Sequence, residues 1–249
     1  IERKFKIKNT CGYSLNALID FEDEFEILEH LIIGSEGTLA FIEEITYYTV
    51  EDLKDKASSL IYFKDIKEAC SAVTKLKLAK DSNKIVVDAV ELMDRAALRS
   101  IENDPAMPAF IKDFDENVTA LLIETRAISD AQLDIQTAQI EELLKEFSVV
   151  RDIYFTKDVA EYTLYWKIRK GLFPAVGAVR VTGTTVIIED VAYPIECLAV
   201  ATLELQELFK KYGYSEALIF GHALEGNFHF VFTQDFSDPK EIKRYDELM

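Results

Sequence analysis

Two of the chain's three histidines, His222 and His229, stand seven residues apart in Phe220-Gly221-His222-Ala223-Leu224-Glu225-Gly226-Asn227-Phe228-His229-Phe230. Between them, Glu225-Gly226-Asn227 is a turn-forming triplet. Apolar runs at 217–220 and 228–232 flank it, so the stretch predicts a β-hairpin. Folding back would bring the two imidazoles close together. Two imidazoles with a carboxylate nearby suit a divalent metal such as zinc, manganese or iron. Two ligands do not complete a site, and paired histidines at a strand end serve a purely structural role equally well.

A second candidate is Gly34-Ser35-Glu36-Gly37-Thr38-Leu39. Its glycines allow backbone amides to approach a phosphate or a polar ring edge. No Lys follows the second glycine, so it is not a Walker loop, and it does not match the dinucleotide fingerprint of a Rossmann unit. A tight turn and a ligand loop both fit.

The elements that would position these groups alternate. Residues 1–7 alternate apolar and charged side chains like a strand and 40–50 are strand-like, with a short segment at 24–33 between them. Strands are predicted at 58–63, 84–92, 118–125, 149–155 and 182–191. Helices are predicted at 67–78 and 93–101, then from Ser129-Asp130 to about Phe147. A further helix spans 158–172, with Asp158 as its cap and Pro174 beyond its end. Two more cover 194–212, stopping at Gly213, and the residues from Pro239 onward. Residues 103–108 read as a proline-containing loop, and no internal repeat is visible. An α+β fold follows, with helices on one face of a largely antiparallel sheet. A change of texture near Val50 divides the chain into 1–50 and 51–249.

At 249 residues the chain can bury a substantial core. With 28 Lys and Arg against 45 Asp and Glu, the net charge is -17. Such a surface repels nucleic-acid backbones and anionic membranes. No apolar run reaches membrane-spanning length. Cys11, Cys70 and Cys197 are scattered, which suits a reducing, cytoplasmic compartment and no disulfide framework.

Three separated motifs share one resemblance. They are Lys8-Asn9-Thr10-Cys11-Gly12-Tyr13 with the Gly34 loop, then Trp166-Lys167-Ile168-Arg169-Lys170-Gly171, then Gly221-His222 through Gly226-Asn227-Phe228-His229. Together the set resembles the FAD-linked oxidases of the vanillyl-alcohol-oxidase type, in the branch of D-lactate, glycolate and D-2-hydroxyglutarate dehydrogenases. The stretches 169–177 and 183–190 are similar to large bacterial members with a C-terminal iron–sulfur region.

The resemblance implies a ferredoxin-like cap domain at 51–249, preceded by the tail of an FAD-binding domain at 1–50. It implies that the chain is a fragment, inactive alone, of a parent flavoenzyme that oxidises a D-2-hydroxy acid by hydride transfer to FAD. His222 and His229 would be metal ligands, and the family's Glu-His pair would fall after Met249. Arg169 would pair with the substrate carboxylate. Asn9, Ser35, Glu36, Gly37 and Thr38 would lie at the cofactor, and any iron–sulfur cluster would sit outside this chain. The family's second Asn is replaced here by Val231. A Lys of the hydroxyglutarate enzymes is absent at Ile188, leaving Arg180, Thr184 and Thr185 as substitutes. The hydroxy acid and the electron acceptor stay open. So do two other classes, a non-catalytic α+β binding module and a metal-dependent hydrolase.

Overall fold

The computed structural model describes every residue except Cys11 and Ala106, and the side chains of Val176, Ala178 and Val179. Cys11 belongs to the first motif and Ala106 to the 103–108 loop, so both lie outside the described residues. The chain divides into two compact units, Ile1–Asp52 and Leu53–Met249.

The first unit holds three helices, α1 (Glu2–Phe5), α2 (Ala17–Asp20) and α3 (Glu24–Leu31). Asp23 caps α3, accepting from the amides of Phe25 and Glu26. The strand expected at 1–7 is instead a helical turn, closed by Phe5 N donating to Ile1 O at 3.1 Å. A local bond of this kind needs no partner strand. The strand expected at 40–50 does not form either. It pairs with no strand among the described residues, and Phe41, Tyr47 and Tyr48 are exposed.

The second unit is built on six strands, β1 (Asp55–Phe63), β2 (Ala89–Met93), β3 (Thr119–Ala127), β4 (Thr185–Ala192), β5 (Leu218–His222) and β6 (Asn227–Gln234). They form one antiparallel sheet in the order β1-β3-β2-β5-β6-β4. The unit's long helices are α4 (Ile66–Asp81), α5 (Arg95–Ile101), α6 (Asp130–Leu144), α7 (Val159–Val179), α8 (Leu198–Lys211) and α9 (Pro239–Leu248). The sheet order contains a repetition that no sequence similarity betrays. The run β1-α4-β2-β3 pairs as β1-β3-β2, and β4-α8-β5-β6 pairs as β4-β6-β5. The two halves meet where β2 pairs with β5.

This is the α+β class read from the sequence. One face of the sheet presents Ile61, Phe63, Leu92, Leu121, Ile123, Ile219, Phe228 and Phe230 to α4, α6 and α8. Alternation along the strands turns Tyr62, Met93, Leu122, Phe220 and Val231 to the opposite face. There α5 and α7 pack through Leu98, Ile101, Ile168 and Leu172, so helices cover part of the second face as well. The helix starts follow their caps. Asp65, Asp94, Ser129 and Asp158 each accept a backbone amide at the head of their helix.

Two expected boundaries move. Residues 149–155 form no strand, touching β1 only through bridges at Phe63↔Val149 and Ser58↔Thr156. Helix α7 does not stop before Pro174 but runs to Val179. A proline costs one amide bond and crowds one carbonyl, and Pro174 lies on the exposed side, where water can take the vacated bond.

The β5–β6 hairpin is the tightest backbone approach in the unit. A Cβ on Gly221 would lie 2.7 Å from Asn227 O and 2.9 Å from Phe228 Cα, and its φ is +154°. Gly226 ends the turn in the left-handed region at φ 62°, and there a Cβ would meet Tyr193 O at 2.2 Å. Gly221→Ala is therefore expected to destabilise the second unit by about 2–3 kcal/mol. Urea unfolding of the variant against the parent checks the figure, and an unchanged midpoint would contradict it.

Candidate functional site

The hairpin forms as its turn chemistry predicts, with a short 3-10 turn over Ala223–Glu225 between the strands. In its register His229 lies opposite Phe220 and His222 opposite Asn227. Both imidazoles stand on the second face of the sheet, ring centroids 5.4 Å apart and nearly perpendicular. His222 is 43% exposed and His229 22%. Asn227 is buried and donates from Nδ2 to Val191 O at 3.1 Å, so it ties the turn to β4. Val231, where the resemblance calls for Asn, is fully buried among Leu218 and Phe220.

Each imidazole is oriented by a carboxylate on the adjacent strand. Asp190 faces His229 in register and accepts from its Nδ1. Glu91 faces His222 in register and accepts from its Nδ1 at 2.7 Å. The other oxygen of Glu91 accepts from Arg169 Nε at 2.8 Å. Arg169 comes from the middle of α7, and its guanidinium carbon stands 4.6 Å from the centre of the Phe220 ring. The pair is well buried, with 8% of the Glu91 side chain and 11% of Arg169 exposed.

Burial alone would raise the Glu91 pKa. The hydrogen bond from His222 and the charge of Arg169 more than offset this and hold the carboxyl below its usual range. The sheet and α7 thus bring Arg169, His222 and His229 to one open face. Other hollows lie elsewhere. One of about 500 Å³ is lined by Arg99, Arg180, Tyr214 and Arg244, which places Arg180 in a separate recess.

A second buried acid lies under the same helix. Glu124, on β3, has 3% of its side chain exposed. Its Oε2 accepts from Trp166 Nε1 at 2.6 Å and from Ser58 Oγ at 3.1 Å. Its Oε1 accepts from Arg126 Nε at 2.8 Å. Neither Glu91, Glu124 nor Asp190 was singled out by sequence reasoning. The usable signal was a lone acid inside an apolar strand, as in Val90-Glu91-Leu92 and Ile123-Glu124-Thr125, because such an acid is rarely buried without a partner.

The loop at 34–38 belongs to the first unit and is a pair of tight turns, with Gly34, Glu36 and Gly37 at positive φ. Ser35 N donates to Ile32 O and Thr38 N to Ser35 O. The amides of Ser35 and Thr38, two of the residues expected at the cofactor, are thus bonded within the loop. Tyr13 and Thr38 join their hydroxyls at 2.9 Å, Ser35 is buried and Asn9 half-buried. His30 stacks on Phe21 and bonds Glu26 O, a structural role.

An antiparallel α+β domain carrying this face matches the family described as "FAD linked oxidases, C-terminal domain" over residues 53–249, and the chain belongs to that family. It is 27% identical over 248 residues to glycolate oxidase subunit GlcD of Escherichia coli, covering 98% of this chain and 46% of that protein. A probable mitochondrial D-2-hydroxyglutarate dehydrogenase of Oryza sativa subsp. japonica is 29% identical, over 85% of this chain and 36% of its own length. The mitochondrial D-lactate dehydrogenase [cytochrome] of Arabidopsis thaliana is 28% identical, over 89% and 36%. The chain therefore spans less than half the length of these relatives. Among solved structures, an alkyldihydroxyacetonephosphate synthase superposes with a TM-score of 0.62 at 17% identity, over 89% of this chain and 42% of that one. That likeness shows the fold alone.

Glu91→Gln removes the charge that offsets buried Arg169 and is expected to cost about 2–4 kcal/mol of stability at neutral pH. Because the folded-state pKa of Glu91 is lowered, its contribution is complete above the ordinary carboxylate range. It fades as pH falls through the lowered value. Chemical unfolding from pH 8 to pH 3 should show the two proteins converging at the acidic end, whereas a constant difference would contradict the assignment.

Proposed function

We propose that the chain is the substrate-side part of a flavoenzyme that oxidises a D-2-hydroxy acid, with glycolate, D-lactate and D-2-hydroxyglutarate as the candidate substrates. The observation that carries this reading is the convergence of His222, His229 and Arg169 on one face, with Glu91 shared between His222 and Arg169. Family membership supports FAD as the cofactor. When bound, FAD supplies the acceptor for the hydride of the substrate's α-carbon. Residues Ile1–Asp52 are read as part of the cofactor-binding portion, with Asn9, Ser35, Glu36, Gly37 and Thr38 as its candidate contacts.

Arg169 anchors the substrate carboxylate. Glu91 occupies Nε, and a carboxylate can approach the terminal nitrogens of the planar guanidinium. The two imidazoles have donors a divalent cation can use. Each gives Nδ1–H to a carboxylate, which turns Nε2 outward as a basic ligand, the arrangement that commonly supports metal-bound histidine. Among the described residues no three metal-ligating side chains converge, so His222 and His229 would be two ligands of a zinc, manganese or iron ion. Such an ion would ease loss of the substrate's hydroxyl proton. Any iron–sulfur cluster would be held outside this chain. Cys70 and Cys197 are free thiols, and a reducing, cytoplasmic setting is part of the proposed reading. No described helix is long and apolar enough to cross a membrane.

The test is anaerobic mixing of the flavin-loaded full-length protein with glycolate or D-lactate, followed by visible absorbance. The flavin band should bleach, and the 249-residue chain alone should turn nothing over. His222→Ala and His229→Ala should each lower kcat/KM at least about a hundredfold. Arg169→Gln should raise KM by about ten- to a hundredfold. Failure of every D-2-hydroxy acid to bleach the flavin overturns the reading.

A further inference from the structure

Helix α7 is 21 residues long; among its described side chains Ile168 and Leu172 are buried, and Leu164, Tyr165, Trp166 and Ala175 pack partly buried against the same cluster. Apolar contact of this kind holds the depth of a helix well and its rotation and axial position less well, because it is non-directional. Directional restraint comes from two polar links to the sheet. Arg169 reaches Glu91 on β2, and Trp166, three residues earlier and on the same side of the helix, reaches Glu124 on β3. The Glu124 carboxylate is itself fixed. Ser58 on β1 and Arg126 on β3 fill its remaining acceptor positions, so it cannot swing to follow the indole.

We propose that Glu124, acting through the Trp166 indole N–H, is a positioning residue that sets the rotation of α7 and so places the Arg169 guanidinium over Phe220 and against Glu91. This rests on Arg169 being the carboxylate anchor. Arg169 has two duties, to Glu91 and to substrate, and a helix held by Arg169 alone would shift whenever a substrate carboxylate draws on the guanidinium. The Trp166 link holds the helix independently of substrate. It lies outside the histidine face, touches no group proposed to meet substrate, and acts on binding rather than on the chemical step.

The test is a double-mutant cycle in the flavin-loaded full-length protein, assayed with the hydroxy acid that bleaches the flavin. Trp166→Phe keeps most of the ring and loses the donor. It should raise KM about tenfold and leave kcat within about twofold. In an Arg169→Gln background the same substitution should leave KM unchanged, because the group it positions is gone. Glu124→Gln, which retains an acceptor for the indole, should raise KM less than Trp166→Phe. It also carries the cycle if the Trp166 variant does not fold. A KM effect of equal size with and without Arg169 shows general loosening and overturns the positioning role. No effect on KM with Arg169 intact does the same. If Arg169→Gln itself leaves KM unaltered, the anchor assignment fails and this inference fails with it.

Discussion

The second unit is arranged around one buried carboxylate with two claimants. Glu91 is nearly inaccessible, and a charge in that position is tolerated only when it is paired and its lone pairs are filled. Its partners come from places far apart in the chain, His222 on the hairpin and Arg169 on α7. The single pair of oxygens therefore registers three elements against one another, strand β2, strand β5 and the helix above them. It also decides the state of the histidine. With Nδ1 committed to Glu91, the imidazole offers Nε2 outward, and Asp190 imposes the same choice on His229. The face that the ligands would meet is set by acids on the neighbouring strands.

What could be read from the chain was what is encoded locally. The hairpin announces itself through Glu225-Gly226-Asn227 between apolar runs, and Ser129 and Asp158 cap the helices they precede. His222 and His229, and their approach across the turn, were legible from the hairpin pattern, and Arg169 from the motif it shares with the family. That Arg169 joins the histidines was not legible, because it depends on Glu91 of β2, which pairs with β5 across more than a hundred residues. Glu91 and Glu124 went unnoticed for the same reason, since their significance lies in partners contributed by other strands. Residues 40–50 show the opposite failure. Their β-branched and aromatic composition is strand-like, but a strand is a relation between two segments, and these residues pair with no other segment among the described residues.

Membership of the FAD linked oxidases adds what geometry alone does not supply. An open sheet face with two carboxylate-oriented histidines and an arginine would suit several reactions. The family narrows the redox partner to a flavin, while the relatives' names range over glycolate, D-lactate and D-2-hydroxyglutarate. The acidic surface would be no obstacle to the proposed anionic substrate, because Arg169 would act at contact distance and the -17 net charge is spread over the whole chain and screened by salt within about 10 Å.

The doubled layout of the sheet has a mechanical side. β1 and β3 run paired over their full lengths, as do β4 and β6. Within the sheet the two halves pair at Glu91↔His222, Leu92↔Gly221 and Met93↔Phe220, with Asp94 N donating to Ile219 O just beyond. That seam is the shortest ladder of the sheet, and one of its three residue pairs is the Glu91–His222 pair itself. Any shear between the halves would be felt first as a change in that hydrogen bond, so the orientation of the imidazole doubles as a gauge of how tightly the domain is closed.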